Sequence, residues 1–514
     1  MTTTTWITLK DGVAAARNGG NGDGVFVEGH GVRVSIRPAG TAIVDAILGL
    51  APPGGDEERF AGTVLDSGGP EALASWYYAI ERLERRGLLA RSVVADDRPV
   101  ASLVPMTTTL AITAGVVVPT AGRRYRLSRF AFLRREGETL VVESPRSSVR
   151  IVLHDPAAAV ILGGLAAWSD RSELLILAAG LPSGAADGVL KLLADAGMLE
   201  ANDDPSRAEG NRLHDAPAEW WEFHDLVFHA RSRRGRCDYP FGATYRMAGR
   251  AALPPPVREK PPGETILLPS PDPDRLLRED PPLFRVVEAR RSERTYGNRP
   301  MNLEQLGEFL YRVARVRGEQ AVTLETPAGP VPTDFVTRPY PSGGALYELE
   351  FYAVVNACDG LGPGLYYYEP RGHALVALRG RTVEVEGLLR DAAGSAAIPR
   401  ETVQVLLIVT ARVPRLAWKY SAMAYALVLK HVGVVYQTMY LAATAMGLAP
   451  CALGGGDSDL FARASGIDIH AETSVGEFLL GGRAQATTED EAGQGGPQEP
   501  EPQPEPQPDP DLHP

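Results

Sequence analysis

Cysteine is scarce in this chain: Cys237, Cys358 and Cys451 are the only three in 514 residues. An odd number, widely spaced, fits neither a disulfide framework nor a CxxC-type zinc site, and points to a reducing, cytoplasmic setting. Basic excess is also missing. The net charge is −12, and the Pro/Gln/Glu stretch from Gln485 carries eight carboxylates with no Lys or Arg, which leaves the remainder near −4. No basic stripe is available to release counterions from a polyanion, so a nucleic-acid partner is not expected. The opening residues MTTTTWITLKDGVAAARNGG lack a basic segment followed by an apolar one, so export is not expected either. The longest apolar run, Ala422 to Met446, is interrupted by Lys430, His431 and Gln437, which would be costly at the centre of a bilayer; it reads as a buried core helix rather than a membrane span.

What is present suits a folded chain of several domains. Hydrophobic residues make up 44% and charged residues 23%, close to globular averages. The first 200 residues suggest one unit used twice. Val32–Arg37 and Val149–His154 read as short strands, each followed by an Ala-rich helix, TAIVDAILGLA or PAAAVILGGLA. The closing helices ALASWYYAIERLERRGLLA and GAADGVLKLLADAGMLEA run to Gly87 and Gly197, the expected stop positions. This pattern resembles a winged helix-turn-helix. The second closing helix offers one Lys against three acids, which favours a docking or scaffolding module over a DNA reader.

The expected division is winged-helix-like domains at 1–105 and 106–205, a linker or extension at 206–270, an α+β domain at 271–484, and a disordered tail at 485–514. His214, His224 and His229 precede the Pro-rich connector LPPPVREKPPGE. Residues five apart on a helix diverge by about 140°, so His224 and His229 are poorly placed to share a metal, and no metal site is expected. Beyond the connector, PPLFRVVEAR reads as a Pro-opened helix, and NLEQLGEFLYRVARV as an amphipathic helix capped by Asn302 and Gln305. YELEFYAVVNA, GLYYYEP, VQVLLIVTAR and VGEFLLGG read as strands, giving α+β rather than a βαβ succession.

Three clusters carry chemistry. Arg290, Arg291, Ser292 and Arg294 can clamp a phosphate through charge-assisted bonds, although an arginine run alone is more often a solvated face. Tyr340-Pro341-Ser342-Gly343-Gly344 is a glycine-rich turn before a strand, where backbone N–H groups can approach a flat or anionic ligand. Cys451-Ala-Leu-Gly454-Gly455-Gly456-Asp457 follows the long apolar helix and lacks the G-x-G-x-x-G spacing of a dinucleotide fingerprint.

In this order and at these distances, the clusters resemble the FMN-binding nitroreductase superfamily. RRSERTYG, PSGGALYELEFYAVVN, GPGLYYYEP, WKYSAMAY, HVGVVYQTMYLAATAMGL and CALGGGD, with WEFHDLVFHARSRRG upstream, are similar to the SagB/ThcOx-type azoline dehydrogenases over residues 215 to 483. The resemblance implies FMN as cofactor and oxidation of thiazoline or oxazoline rings in a ribosomal peptide, the flavin supplying the redox chemistry. It further implies that Arg290, Arg291, Ser292 and Arg294 hold the FMN phosphate, with Arg483 a further candidate. Pro341, Ser342 and Gly343 would line the isoalloxazine, and Gly454 and Gly455 would face it. A homodimer with flavin at the subunit interface, an azoline-containing precursor peptide and a cyclodehydratase partner follow from the same resemblance.

The pair Lys419-Tyr420 resembles the family's proton-transfer motif. A lysine must lose about three pKa units, roughly 4 kcal/mol, to serve as a base at neutral pH; the alternative is a charged Lys419 that lowers the Tyr420 pKa. Two positions depart from the family pattern: Met423 stands where an arginine is common, and Gly456 where an aromatic is common. The rival expectations are a broad-specificity NAD(P)H-dependent nitroreductase or quinone reductase, and a non-enzymatic docking or DNA-binding protein with a degenerate flavin fold.

Overall fold

The computed structural model describes residues 3–18, 24–37, 40–108, 120, 122–202 and 217–484. The tail at 485–514 and His214 lie outside the described residues. The chain forms two compact units, Met1–Arg246 with Lys419–Ala424, and Met247–Trp418 with Tyr425–Pro514.

In the first unit an antiparallel sheet of seven strands runs in the order Gly55–Asp56, Thr3–Leu9, Leu89–Ala95, Arg98–Pro105, Val149–Leu153, Thr139–Glu143 and Phe132–Glu136. One core gathers Ile7, Val44, Trp76 and Leu83, and a second gathers Tyr125, Ile151, Leu174 and Leu193. Gly87 and Gly197 stop their helices in left-handed conformation, at φ 61° and 66°. A Cβ at Gly87 would meet the Thr107 carbonyl oxygen at 2.0 Å, so only glycine fits there. The helix Glu57–Arg85 breaks at Gly69 and Pro70, just before the stretch read as the closing helix. The two strands read as equivalents sit in different sheets. Val32–Ile36 pairs only with Val25–Gly29 in a small three-stranded sheet, whereas Val149–Leu153 is interior to the large sheet. His229 packs against Trp221 and His224 lies edge-on to Phe223, both on or beside the helix Phe223–Arg231.

The second unit is α+β, as expected. Its antiparallel sheet runs Thr265–Leu267, Ala374–Arg379, Gly364–Glu369, Leu349–Val355, Val405–Ala411, Thr473–Gly482 and Leu448–Leu453. The central strands Leu349–Val355 and Val405–Ala411 are buried at every position, which is why they read as continuous apolar runs rather than alternations. On one face Tyr352, Leu406 and Leu479 pack against the helices Val383–Ala396 and Ser458–Ser465. On the other, Phe478 meets Phe309 of the helix Leu303–Ala314 and Tyr436 and Tyr440 of the helix Ala424–Ala445. The Asn302–Gln305 capping box forms. Among the described residues no helix is long and apolar enough to cross a membrane.

Candidate functional site

The arginine cluster begins where the helix Leu283–Ala289 ends. Arg290 turns extended, and the following segment is pinned across two strand ends: the Glu293 N–H donates to the Pro450 carbonyl at 2.8 Å and the Gly297 N–H to that of Gly482 at 2.8 Å. Tyr296 bridges to Arg483, so the two distant parts of the expected phosphate set become neighbours. Glu293 sits between Arg291 (3.4 Å) and Arg483 (3.1 Å) and orients both guanidiniums. Arg290 and Arg294 have no carboxylate partner among the described residues, so four guanidiniums face a single acid here. That surplus suits a dianionic group. The Arg290 guanidinium lies 5.3 Å from the Tyr440 ring centroid, and the Ser292 hydroxyl is 2.6 Å from that of Tyr440. Tyr440 also accepts the Ala452 N–H at 2.8 Å. It ties the arginine segment to the strand that leads into the glycines.

The Pro341–Gly344 turn is braced from behind. The Gly343 N–H donates to His431 Nε2 at 2.8 Å, which places the imidazole proton on Nδ1, donated to Glu348 Oε1 at 2.6 Å. The Ser342 hydroxyl donates to the other Glu348 oxygen at 3.2 Å and accepts the Tyr347 N–H at 3.0 Å. Glu348 is fully buried and His431 nearly so. Their bonds hold a backbone that is left-handed at Gly344, Ala345 and Tyr347 (φ 62°, 53° and 49°), a conformation that costs free energy at the two residues with side chains.

Gly454, Gly455 and Gly456 line a cleft of about 350 Å³ with Tyr436, Leu453, Ser458, Ser474, Gly476 and Glu477. A Cβ at Gly454 or Gly455 would meet open space, so the backbone there is free to receive a flat ligand. Burial holds the neighbouring Cys451 thiol above its ordinary pKa, so it is not a reactive thiolate. Burial also pushes the Glu477 carboxyl up to about 7.

Lys419 and Tyr420 belong to the first unit, where Tyr420 and Ser421 pair with Ala243 and Gly242. The Lys419 ammonium lies 5.4 Å and 5.6 Å from the ring centroids of Tyr245 and Tyr420. Burial, then the Tyr245 phenol, pushes the Tyr420 pKa up. At the position of the expected arginine, Met423 returns its N–H to the Ser421 carbonyl at 2.8 Å.

Residues 287–481 match the nitroreductase family, and residues 125–238 match the cyanobactin oxidase ThcOx. The second unit carries a nitroreductase-family domain. A Methanocaldococcus jannaschii protein, MJ1384, whose name assigns it provisionally to the nitroreductases, is 29% identical over 195 residues, which are 37% of this chain and 85% of that protein. Among solved structures, a provisionally named nitroreductase from Anabaena variabilis is 23% identical with a TM-score of 0.33; the match spans 49% of this chain and less than half, 45%, of that one. The Escherichia coli microcin synthetase McbBCD complex with truncated pro-MccB17 is 18% identical over 51% of this chain and 91% of that one, with a TM-score of 0.32. An Exiguobacterium sibiricum structure in complex with FMN is 15% identical over 43% and 94%, with a TM-score of 0.28. The chain thus carries a nitroreductase-family domain behind a segment that matches the cyanobactin oxidase ThcOx.

Reading the sequence alone missed Tyr440, Tyr436, the Glu348–His431 pair and Glu477. The available signal was a set of polar side chains on an apolar helix: His431, Tyr436 and Tyr440 all lie on Ala424–Ala445, and each reaches one cluster.

Proposed function

We propose that this protein is an FMN-dependent dehydrogenase that oxidises thiazoline or oxazoline rings in a ribosomally made peptide to the aromatic azoles. The observation that carries the reading is the succession of a cyanobactin-oxidase match and a nitroreductase-family domain in one chain. The residues of the second unit fit the flavin. Arg290, Arg291, Ser292, Arg294 and Arg483 would hold its phosphate, Pro341, Ser342 and Gly343 would line its ring, and Gly454 and Gly455 would leave its face accessible. Bound there, the flavin supplies the hydride acceptor that no side chain can provide. Lys419 and Tyr420 are the proposed proton-transfer pair.

A homodimer accords with the apolar side chains left exposed on the helix Leu283–Ala289 (Leu283, Phe284 and Val287) and on Ala424–Ala445 (Tyr425, Leu429 and Val434). The first unit would recruit the precursor peptide or the cyclodehydratase that made its rings. It contains a cleft of about 480 Å³ whose lining mixes apolar residues such as Phe132 and Val227 with Arg231, Arg236, Tyr239 and the Arg134–Glu143 ion pair.

The test is the visible spectrum of the purified protein before and after anaerobic addition of a thiazoline-containing peptide. Bleaching of a bound-flavin band, with loss of about 2 Da from the peptide, is the expected outcome, because two hydrogens leave each oxidised ring. A yellow protein bleached only by NAD(P)H would favour the broad-specificity nitroreductase reading, which the relation to MJ1384 supports. A colourless protein without FMN affinity would leave only a docking role.

A further inference from the structure

The chain has five lysines, and two of them are committed to carboxylates: Lys10 pairs with Asp238 and Lys191 with Asp195. Lys419 is held differently. Its ammonium has no carboxylate or hydrogen-bond acceptor among the described residues, and two phenol rings stand where an acid would. Its Nζ lies 5.4 Å from the ring centroid of Tyr245 and 5.6 Å from that of Tyr420, both within the reach of a cation–π attraction. All three side chains are half-buried. Tyr420 is simply the next residue along the chain, but Tyr245 is brought from a distant segment.

The backbone fixes that meeting. The Tyr245 N–H donates to the Lys419 carbonyl at 2.8 Å, and Gly242 and Ala243 pair with Ser421 and Tyr420. The Thr244 and Ser421 hydroxyls lie 2.6 Å apart and tie the two segments a third time. Tyr245 makes its bond in left-handed conformation, at φ 51°, and Ala422, just beyond Ser421, is left-handed at φ 66°. Such backbone costs free energy at a bulky residue and persists only where its surroundings over-determine it. The strain is spent on setting one ring beside one ammonium.

We infer that Tyr245 is the positioning residue of the Lys419–Tyr420 pair, closing with Tyr420 a two-ring box that holds the Lys419 ammonium. The inference rests on the dehydrogenase reading above, in which that pair carries the proton transfer. Tyr245 acts through Lys419 and makes no bond to the peptide ring. A lysine ends a flexible four-carbon stem, so without a fixed partner its ammonium wanders. A carboxylate would fix it but would set an opposing charge beside Tyr420. The face of a ring fixes it and brings no charge. The face of Tyr245, rather than its hydroxyl, is therefore what the pair requires.

The experiment separates the ring from the backbone. Tyr245→Phe and Tyr245→Leu both keep the N–H that bonds to Lys419, and only the first keeps an aromatic face. In anaerobic reduction of the FMN-bound protein by a saturating thiazoline peptide, Tyr245→Leu should slow flavin reduction roughly 5- to 30-fold, the loss of one cation–π contact, and Tyr245→Phe should recover most of that rate. The second readout uses the flavin-free protein. With the lysines carrying isotope-labelled dimethyl groups, which keep their charge, the Lys419 signal is assigned by its loss in Lys419→Arg. Ring currents should place it upfield of the exposed Lys260 and Lys430; Tyr245→Leu should move it back toward them, and Tyr245→Phe should leave it in place. Wild-type speed in Tyr245→Leu, or a wild-type Lys419 signal that coincides with those of Lys260 and Lys430, would overturn the inference and leave the dehydrogenase reading intact. Equal loss of rate in both variants would overturn it too, because the hydroxyl and not the face would then be what the pair requires. A wild-type flavoprotein that the peptide fails to reduce would overturn the reading itself, and this role with it.

Discussion

The two glycine turns of the second unit solve opposite problems. The turn at Pro341–Gly344 is held by a buried acid–imidazole pair that spends every polar group on it: His431 takes the Gly343 N–H, and Glu348 takes His431 and Ser342. The turn at Gly454–Gly456 is open at Gly454 and Gly455, and the Glu477 carboxyl beside it has no partner among the described residues. A satisfied buried network fixes one geometry and strongly resists change. An unpartnered carboxyl in a partly dry cleft does the reverse, leaving the backbone free and one proton exchangeable. One turn is thus locked by its partners, and the other keeps a titratable carboxyl beside it.

The contrast can be broken at its rigid side first. His431→Ala removes the acceptor of a buried N–H and leaves Glu348 without its principal donor; it should cost about 3 kcal/mol of stability, read by urea denaturation. Bound flavin should be lost with it, if the turn lines the ring. At the open side the effect should appear only at higher pH. The folded pKa of Glu477, about 7, lies above its ordinary 4.5, so the folded protein keeps a proton that the unfolded chain has released. Stability is therefore lost as pH rises between these values. Glu477→Gln should be more stable than wild type by about 2 to 3 kcal/mol near pH 8 and equal to it near pH 4, checked by thermal melts at the two pH values.

Smaller effects sharpen the comparison at the anionic end. Tyr440→Phe strands the Ala452 N–H and the Ser292 hydroxyl and should cost about 1 to 2 kcal/mol, read by denaturation. Arg294→Ala, which removes a guanidinium with no carboxylate partner, should weaken flavin binding by about tenfold in a titration of the flavin-free protein. Arg291→Ala should weaken it less, because that side chain is 66% exposed and already shares Glu293.

Much of this was legible because it is local. The stops at Gly87 and Gly197, the Asn302–Gln305 cap and the apolar strands each depend on a few adjacent residues, and the arginine and glycine clusters declared themselves by density. What stayed hidden is what the fold assembles from afar. Ser292 and Tyr440 are 148 residues apart, and Glu348 and His431 are 83 apart. Gly456 was noticed as a departure from the family pattern, but its neighbour Glu477 sits in a strand whose neighbours gave it no reason to stand out. His431 was weighed only as an argument against a membrane span, since a histidine in an apolar helix says that it has a partner without saying which. The different sheets of the two Val-rich strands escaped notice because a strand's sequence reports its burial and not its neighbour.

The chain leaves the second unit after Trp418, contributes the short strand Tyr420–Ser421 to the first, and returns at Tyr425. No single cut therefore divides this protein into its two units. A fragment that begins at Met247 would carry Lys419 and Tyr420 but leave behind Tyr245 and Ala243, whose backbones hold them, so the pair would lose its alignment.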